Sequence, residues 1–285
     1  MAAVKNTKTA AVETRKRSLL MSFSQNSKNS LVYLTSSKID TVHAFTTRYG
    51  GVSDGIYSSL NLSVKSLDTR ENIQKNYEIL CGALGIPLEK LVYTNQVHSD
   101  IIDHVTEKDS RGIFEKTNRE RDGLMTNVPG LPLIAYTADC IPILFHDPVA
   151  GAIAAVHAGW RGSVNDIVGK TVNKMCALYG SKPENIRCAI GPGISKCCFE
   201  TDKDVPDAVI VALGADGEKL IEKKGDKFFV DIKGVNAALL EKAGVRKDNI
   251  DISDECTMCS YEKYWSHRYT KGNRGCQACI IMLRG

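Results

Sequence analysis

The sequence predicts an α+β fold with large central sheets, and three observations lead to that prediction. Short runs of bulky or β-branched apolar residues, bounded by turn residues, are typical of buried strands. Two longer segments place apolar residues on one helical face behind capping patterns. The strands and helices are mixed without strict alternation, which favours the α+β class.

The predicted strands account for most of the apolar runs in the chain. They cover residues 31–33, 42–48, 91–98, 133–139, 141–145, 152–157, 187–190, 228–232, 250–252 and 279–283. The turn sequences Gly50-Gly51 and Gly191-Pro192-Gly193 end two of them.

Capping patterns mark two of the predicted helices. Asp68-Thr69-Arg70-Glu71 resembles a capping box, and the helix that it opens closes at Gly85. Ser163-Val164-Asn165-Asp166 has a similar pattern and opens a helix that ends at Gly180. Further helices are expected at residues 205–213 and 235–243.

The basic character of the chain lies in its first 30 residues. The net charge is +4, and residues 1–30 hold six Lys or Arg side chains against Glu13 alone, so the remainder sums to −1. The charge distribution therefore does not indicate a basic face that would bind a nucleic-acid partner. The polar, aperiodic composition predicts that residues 1–30 are a disordered basic tail, followed by a single catalytic domain at 31–285.

We expect a cytoplasmic protein without a membrane partner. The apolar segment 19–21 is too short for a secretory signal, and Thr137 and Asp139 interrupt the most apolar stretch, 131–145. In that compartment the ten cysteines are expected to be reduced thiols rather than a disulfide framework.

Three metal-binding side chains share a position at the ends of predicted strands. His98, Cys140 and His157 each precede a loop, where a sheet can direct side chains into one pocket. Two imidazoles and a thiolate suit zinc, and three protein ligands leave a fourth position for water or substrate. We therefore expect one catalytic zinc ion at these residues, although spacings of 42 and 17 residues alone would not single them out.

Other interpretations of the same residues stay open. Cys140 is also a candidate nucleophile, activated by His98 or His157 in a hydrolase without metal. A regulatory binding protein with reduced catalysis is a third interpretation. Asp139 is expected either to relay a proton or to orient a histidine or backbone N–H group.

The remaining cysteines give a weaker metal signal. Cys256-x-x-Cys259 and Cys276-x-x-Cys279 have the spacing of a zinc ribbon. The second pair lies in a predicted strand, where residues three apart face opposite sides, so a shared zinc site is disfavoured. Cys197 and Cys198 are expected to pack in the core or in a loop.

Several motifs resemble the YfiH-like, laccase-domain family, long described as multicopper polyphenol oxidases. They are Tyr93-Thr94-Asn95-Gln96-Val97-His98, Thr137-Ala138-Asp139-Cys140, His157-Ala158-Gly159-Trp160-Arg161 and Trp265-Ser266-His267-Arg268. The resemblance covers roughly residues 40 to 284, and the Cys197-Cys198-Phe199 run is similar to animal laccase-domain-containing proteins. Copper oxidase chemistry needs several histidine-rich sites, which six histidines in the whole chain fit poorly.

The resemblance implies a four-layer α/β/β/α sandwich with mixed sheets and a zinc site at His98, Cys140 and His157. It implies purine nucleosides as substrates and phosphate as co-substrate of a purine nucleoside phosphorylase. Methylthioadenosine phosphorylase and adenosine deaminase are further implied activities, and bacterial members are linked to editing peptidoglycan precursors.

Three arginines are expected to bind substrate or phosphate. Arg48, in a matching Thr47-Arg48 run beside the Gly50-Gly51 turn, and Arg268 both belong to motifs that resemble the family, and guanidinium groups suit phosphate oxygens. Arg161 precedes a helix start that offers backbone amides. The family often has an arginine and an acid where this chain has Tyr269 and Thr270, a departure that favours deamination if the missing arginine binds phosphate.

Overall fold

The computed structural model describes residues 23–115 and 117–285. Its strands are β1 (Phe23–Lys28), β2 (Leu31–Ser36), β3 (Val42–Thr46), β4 (Ile102–His104), β5 (Gly123–Thr126), β6 (Leu133–Thr137), β7 (Ile141–Asp147), β8 (Ala152–Ala158), β9 (Arg187–Ile190), β10 (Glu200–Thr201), β11 (Ile221–Lys224), β12 (Lys227–Val230), β13 (Ile250–Ile252) and β14 (Gln277–Met282). Its α-helices are α1 (Arg70–Leu84), α2 (Trp160–Val164), α3 (Ile167–Tyr179), α4 (Asp204–Leu213), α5 (Ala215–Glu218), α6 (Ile232–Lys242) and α7 (His267–Thr270). Within these residues no helix has the length and apolar character needed to cross a membrane.

The strands form two large sheets and one small sheet. A five-stranded antiparallel sheet has the order β1-β2-β3-β14-β6. A six-stranded mixed sheet has the order β13-β9-β7-β8-β5-β4, with parallel pairing at β13–β9 and at β4–β5. Strands β10, β12 and β11 form the small antiparallel sheet. These sheets and helices confirm the predicted mixed α+β class.

The two large sheets pack face to face through a shared apolar cluster. Leu34 and Phe45 of the five-stranded sheet meet Leu144 and Ala155 of the six-stranded sheet in this cluster. Helix α1 covers the other face of the five-stranded sheet, and helices α3 and α6 cover the other face of the six-stranded sheet. Helices therefore cover the outer faces of the two large sheets, which pack against each other.

Alternation along β8 explains why this strand is buried on both faces. Ile153 and Ala155 belong to the cluster between the sheets, whereas Ala154 and Val156 belong to the cluster beneath the helices. Because successive side chains in a strand point to opposite faces, a strand covered on both sides is apolar throughout.

The helices begin near the two predicted capping patterns, but the cap is Thr69 rather than Asp68 in the first and Asp166 rather than Ser163 in the second. Thr69 caps α1 by accepting a hydrogen bond from the Asn72 N–H, and Gly85 ends the helix with a φ of 67°. The second capping pattern is shifted, because Asp166 rather than Ser163 caps α3, accepting from the Gly169 N–H. Ser163 lies within the short helix α2 instead.

The N-terminal segment differs from the expected disordered tail. Phe23–Lys28 pairs antiparallel with Leu31–Ser36, and the Phe23 ring lies 5.6 Å from the Phe45 ring. Asn29 and Ser30 connect the strands with φ values of 49° and 69°, as a type I′ hairpin turn requires. The tail boundary at residue 30 is therefore wrong, and residues 1–22 lie outside the described residues.

Candidate metal centre and cavity

Strand register brings two of the predicted ligands together. Cys140 immediately precedes β7, and His157 is the penultimate residue of β8. The two strands pair antiparallel with Ile141 opposite Ala158 and Pro142 opposite His157. Cys140 and His157 therefore lie at the same end of the neighbouring strands β7 and β8.

The third ligand, His98, reaches the site from a loop rather than from a strand. Within 91–98 the only ladder contacts are single bridges, Val92 with Leu133 and Asn95 with Glu120, so the predicted strand is wrong. The Gln96 side chain instead accepts from the Tyr136 N–H at 2.8 Å and donates to the Tyr136 carbonyl at 2.7 Å. These two hydrogen bonds fix the loop to β6, and a φ of 62° at His98 turns the chain there.

The ligand atoms of His98, Cys140 and His157 lie within 4.8 Å of one another. The His98 Nε2 atom is 3.7 Å from Cys140 Sγ, and the two imidazole rings meet edge to face with centroids 4.9 Å apart. A mixed set of two nitrogen donors and one sulfur donor fits Zn²⁺, and it leaves a coordination position open. The residues present therefore fit the expected metal.

Asp122, which the sequence analysis missed, organises this site. Its carboxylate accepts hydrogen bonds from His157 Nδ1 at 2.7 Å, from the backbone N–H groups of Val97, His98 and Ser99, and from the Ser99 hydroxyl. With Nδ1 used in this way, His157 has Nε2 free to bind a metal. A single aspartate preceding β5 carries no periodic or motif signal that would have identified it.

Proton affinities in this cluster are strongly shifted. Burial raises the pKa of the Cys140 thiol, but the charge of His157 and hydrogen bonds to both histidines outweigh it and lower the pKa to about 6. Burial lowers the pKa of His157, but the charge of Cys140 and the hydrogen bond to Asp122 raise it to about 9. The metal-free pair is therefore a thiolate and an imidazolium at neutral pH.

Gly159 provides the space that the ligands need. A Cβ atom at this position would lie 2.7 Å from the His98 ring and 3.5 Å from both Cys140 Sγ and His157 Cε1. Any larger residue would therefore push His98 away from the other two ligands. This explains why the His-Ala-Gly-Trp motif has glycine at Gly159.

The Asp139 carboxylate holds the N-terminal end of helix α7, which carries Arg268. It accepts from the Thr257 hydroxyl at 2.6 Å, from the Ser266 hydroxyl at 3.0 Å and from the Arg268 N–H at 2.6 Å. Asp139 therefore orients a backbone N–H group and two hydroxyl groups, which agrees with one of its two expected roles. The residue that orients His157 is Asp122. The role of Asp139 in proton relay stays a prediction.

The three candidate ligands line a cavity of about 1000 Å³. Its aromatic lining includes Tyr93, Phe114 and Tyr136. Cationic side chains at the cavity include Lys65, Arg70, Arg268 and Arg274. The cavity therefore combines a metal site, apolar aromatic surface and positive charge, a combination that suits a polar aromatic ligand with an anionic partner.

Of the three predicted phosphate-binding arginines, the structure places only Arg268 at the cavity. The Arg48 guanidinium donates to the carbonyls of Ser58 and Tyr261 and stacks 3.9 Å from the Trp265 ring centroid. Arg161 is exposed and stacks on the neighbouring Trp160 ring. Neither Arg48 nor Arg161 lines the cavity, so the structure does not bring them to the site.

Arg274 is a cavity residue that the sequence analysis did not identify. Its NH1 group donates to the Gly275 carbonyl and to Cys276 Sγ, whereas its buried Nε has no hydrogen-bond partner within the described ranges. Tyr269, at the position where the family often has arginine, stacks on Tyr261 with centroids 3.6 Å apart. Tyr269 does not line the cavity. In the segment 266–276, the cationic side chains that line it are Arg268 and Arg274.

Residues 23–115 and 117–285 hold two groups of potential metal ligands with at least three members. One is His98, Cys140 and His157, and the other consists of Cys197, Cys198, Cys256 and Cys259. Neither is a histidine-rich cluster of the kind that multicopper oxidases use.

Fold and site together define a mixed α+β protein in which three potential metal ligands lie at the wall of a large cavity. The chain belongs to the family described as multi-copper polyphenol oxidoreductase laccase, whose model matches residues 42–284. The purine nucleoside phosphorylase of Deinococcus radiodurans is 40% identical, over 85% of this chain and 88% of that protein. Purine nucleoside phosphorylase LACC1 of Mus musculus is 35% identical, over 90% of this chain and 59% of that protein. The crystal structure of YlmD from Geobacillus stearothermophilus has a TM-score of 0.87 at 31% identity, covering 93% of this chain and 100% of that one.

Proposed function

We propose that this chain is a metal-dependent purine nucleoside phosphorylase, with zinc bound by His98, Cys140 and His157. One observation carries the proposal: the three candidate ligands lie at the wall of a cavity that is also lined by aromatic side chains and by Arg70, Arg268 and Arg274. The names of the relatives from Deinococcus radiodurans and Mus musculus support it.

The cavity has the size and lining that a purine nucleoside needs. A volume of about 1000 Å³ accommodates the nucleoside together with phosphate. Tyr93 and Tyr136 meet edge to face with centroids 6.5 Å apart, and the Tyr136 hydroxyl accepts from Tyr77 at 2.6 Å. This fixed aromatic surface is suited to contact the purine ring.

Arg268 and Arg274 are proposed to bind the phosphate co-substrate. In phosphorolysis a phosphate oxygen forms a bond to C1′ of the ribose as the bond from C1′ to the purine nitrogen breaks. The purine leaves with the electron pair and takes up a proton, and the other product is ribose 1-phosphate. Guanidinium groups stabilise the phosphate that approaches the developing positive charge on the ribose.

A bound zinc ion would supply Lewis-acid chemistry at its open coordination position. Asp122 would hold His157 with Nε2 directed to the ion, and Asp139 would hold helix α7, which carries Arg268. We propose deamination of adenosine and phosphorolysis of methylthioadenosine as further activities of the same cavity, because both substrates share the purine nucleoside framework.

A second candidate function follows from the contacts of Cys140 and His157. Asp122 accepts from His157, which lies beside Cys140, so the three residues have the arrangement of a cysteine, histidine and aspartate triad. A thiolate at neutral pH would allow nucleophilic attack in a hydrolase without metal. Bound metal would occupy that thiolate, so metal content separates this candidate from the first.

The test is an assay of purified, metal-loaded full-length protein with inosine or adenosine, in the presence and absence of phosphate. Phosphate-dependent loss of nucleoside with formation of ribose 1-phosphate is the expected result, whereas release of ammonia without phosphate identifies deamination. Cys140→Ala should lose the metal bound by His98, Cys140 and His157 together with the activity. Cys176→Ala is the matched control because Cys176 lies on α3, outside the cavity lining. Metal-loaded protein that consumes no purine nucleoside under either condition overturns the proposal.

A further inference from the structure

Four cysteines from two distant parts of the chain meet beside the cavity. Cys197 and Cys198 follow β9, and Cys256 and Cys259 follow β13. Their four sulfur atoms lie within 4.8 Å of one another. The expectation that Cys197 and Cys198 simply pack in the core or a loop is therefore incomplete. Cys256 and Cys259 lie beside these two cysteines and not beside Cys276 and Cys279, the pair with zinc-ribbon spacing.

Three of the sulfur–sulfur separations are close to those in a tetrahedral site around one metal ion, and all four sulfur atoms lie within 4.8 Å of one another. Cys198 Sγ and Cys259 Sγ are 3.3 Å apart, Cys197 Sγ and Cys259 Sγ 3.5 Å, and Cys197 Sγ and Cys198 Sγ 3.7 Å. Zinc–sulfur bonds of about 2.3 Å in a tetrahedral site place the sulfur atoms about 3.8 Å apart. A disulfide would need a separation of about 2.05 Å and would join only one pair.

The surroundings of the cluster suit negatively charged thiolates. The Ser195 N–H group donates to Cys256 Sγ at 3.4 Å. Lys233 is 4% exposed, and its ammonium donates to the carbonyls of Ser253 and Glu255 and forms no salt bridge within the described ranges. Four thiolates around one divalent ion carry a net charge of −2, which would stabilise the buried ammonium next to Cys256.

We propose that Cys197, Cys198, Cys256 and Cys259 bind a second Zn²⁺ ion in a closed structural site. Four protein ligands fill its coordination, so no position is left for water or substrate. Binding displaces the thiol protons to solvent, and no oxidant or reductant takes part. The site is independent of the His98, Cys140 and His157 centre, and it goes beyond the proposed phosphorylase function.

The second ion would fix one wall of the cavity. Ile194 and Phe199 flank the first cysteine pair and line the cavity. Thr257, within the second pair, donates its N–H to the Gly193 carbonyl and its hydroxyl to Asp139. A metal ion that joins the loop after β9 to the loop after β13 would hold Asp139 in position through Thr257. Asp139 in turn holds helix α7, which carries Arg268.

The test is elemental analysis of the full-length chain, purified under reducing conditions and loaded with Zn²⁺. We expect about two zinc ions per wild-type chain. Cys140→Ala should bind about one, Cys198→Ser/Cys259→Ser should also bind about one, and the combination of all three substitutions should bind none. Cys176→Ser is the matched cysteine control and should keep both ions. In the Cys140→Ala background, loading with Co²⁺ should give the absorption of tetrahedral thiolate coordination.

The Cys140→Ala arm decides the result even if the double variant does not fold, because it leaves all four cysteines in place. Cys140→Ala that binds no metal would overturn the second site. A wild-type chain with a disulfide between Cys259 and either neighbour after purification with reductant would overturn it as well, and would indicate a redox pair instead. Neither result depends on nucleoside turnover, so failure here is distinct from failure of the phosphorylase proposal.

Discussion

The Asp122 carboxylate accepts a 2.7 Å hydrogen bond from Nδ1 of His157 and holds that ring in one orientation. The same carboxylate accepts from the backbone N–H groups of Val97, His98 and Ser99. Asp122 is fully buried, and although burial raises its pKa, hydrogen bonds from His157 and Ser99 outweigh this and hold the pKa at about 2. One ionised carboxylate therefore positions two of the three ligands.

Replacing Asp122 should weaken metal binding without altering any ligand. Asp122→Asn removes the charge and an acceptor for His157, so we expect zinc affinity to fall by about 10- to 100-fold. The measurement is competition with a chelator of known affinity. Asp147→Asn is the control, because Asp147 is buried at the far end of β7 and accepts from Val149 and Ala150. Equal affinity in wild type and Asp122→Asn would contradict the positioning role.

Metal binding at the His98, Cys140 and His157 centre should release a proton from the ligands. With a Cys140 pKa of about 6 and a His157 pKa of about 9, the metal-free pair holds one proton between these values, on His157. The metal displaces that proton, so zinc affinity should rise about tenfold per pH unit between roughly pH 7 and 8.5. Above the His157 pKa the dependence should flatten. Chelator competition in Cys198→Ser/Cys259→Ser protein isolates this centre, and an affinity independent of pH would show that His157 is not a ligand.

A methyl group at Gly159 should disturb the metal centre through space alone. Gly159→Ala would bring its Cβ within 2.7 Å of the His98 ring, and overpacking of this kind costs about 1–3 kcal/mol, or about 5- to 150-fold in metal affinity. Gly82→Ala is the matched control, because nothing lies within 4 Å of its added Cβ in helix α1. That control should keep its metal and gain up to about 1 kcal/mol in stability from helix propensity.

The sequence predicted those parts of the site that local pattern determines. Cys140 and His157 lie at strand ends that apolar runs identify, and antiparallel pairing of β7 with β8 then brings them together. The prediction of His98 as a ligand assumes that it ends a strand, but the segment 91–98 is not a strand. Its segment is held by the Gln96 side chain instead of a strand ladder, and that contact depends on the tertiary position of Tyr136.

The missed residues depend on contacts between distant segments. Asp122 meets His157 across 35 residues, and Cys197 meets Cys259 across 62, and no periodicity in the chain encodes either contact. Arg48 shows the opposite error. A motif match suggested phosphate binding, whereas the fold uses its guanidinium to join the Ser58 and Tyr261 carbonyls beside Trp265.

Removal of the N-terminal hairpin strand should destabilise the protein. A chain that begins at residue 31 loses β1 and the contact of Phe23 with Phe45, whereas a chain that begins at residue 23 keeps both. Full burial of such an aromatic side chain contributes about 1.5–3 kcal/mol, and Phe23 is partly buried, so the shorter chain should melt at a lower temperature. Thermal unfolding of the two truncated chains provides the comparison, and equal melting temperatures would show that β1 adds no stability.

Phosphate binding should depend on Arg274 and not on Arg48. Arg274 lines the cavity with a buried Nε that lacks a partner within the described ranges, whereas Arg48 is engaged by backbone carbonyls outside the cavity lining. A hydrogen bond to a charged group contributes about 1.5–3 kcal/mol, so Arg274→Ala should raise the phosphate KM by about 10- to 150-fold. The nucleoside KM at saturating phosphate should change little. Arg48→Ala should keep the phosphate KM and lower the melting temperature, because it leaves the Ser58 and Tyr261 carbonyls without their donor. The reverse pattern, with phosphate KM sensitive to Arg48 alone, would place the anion site on the other side of Trp265.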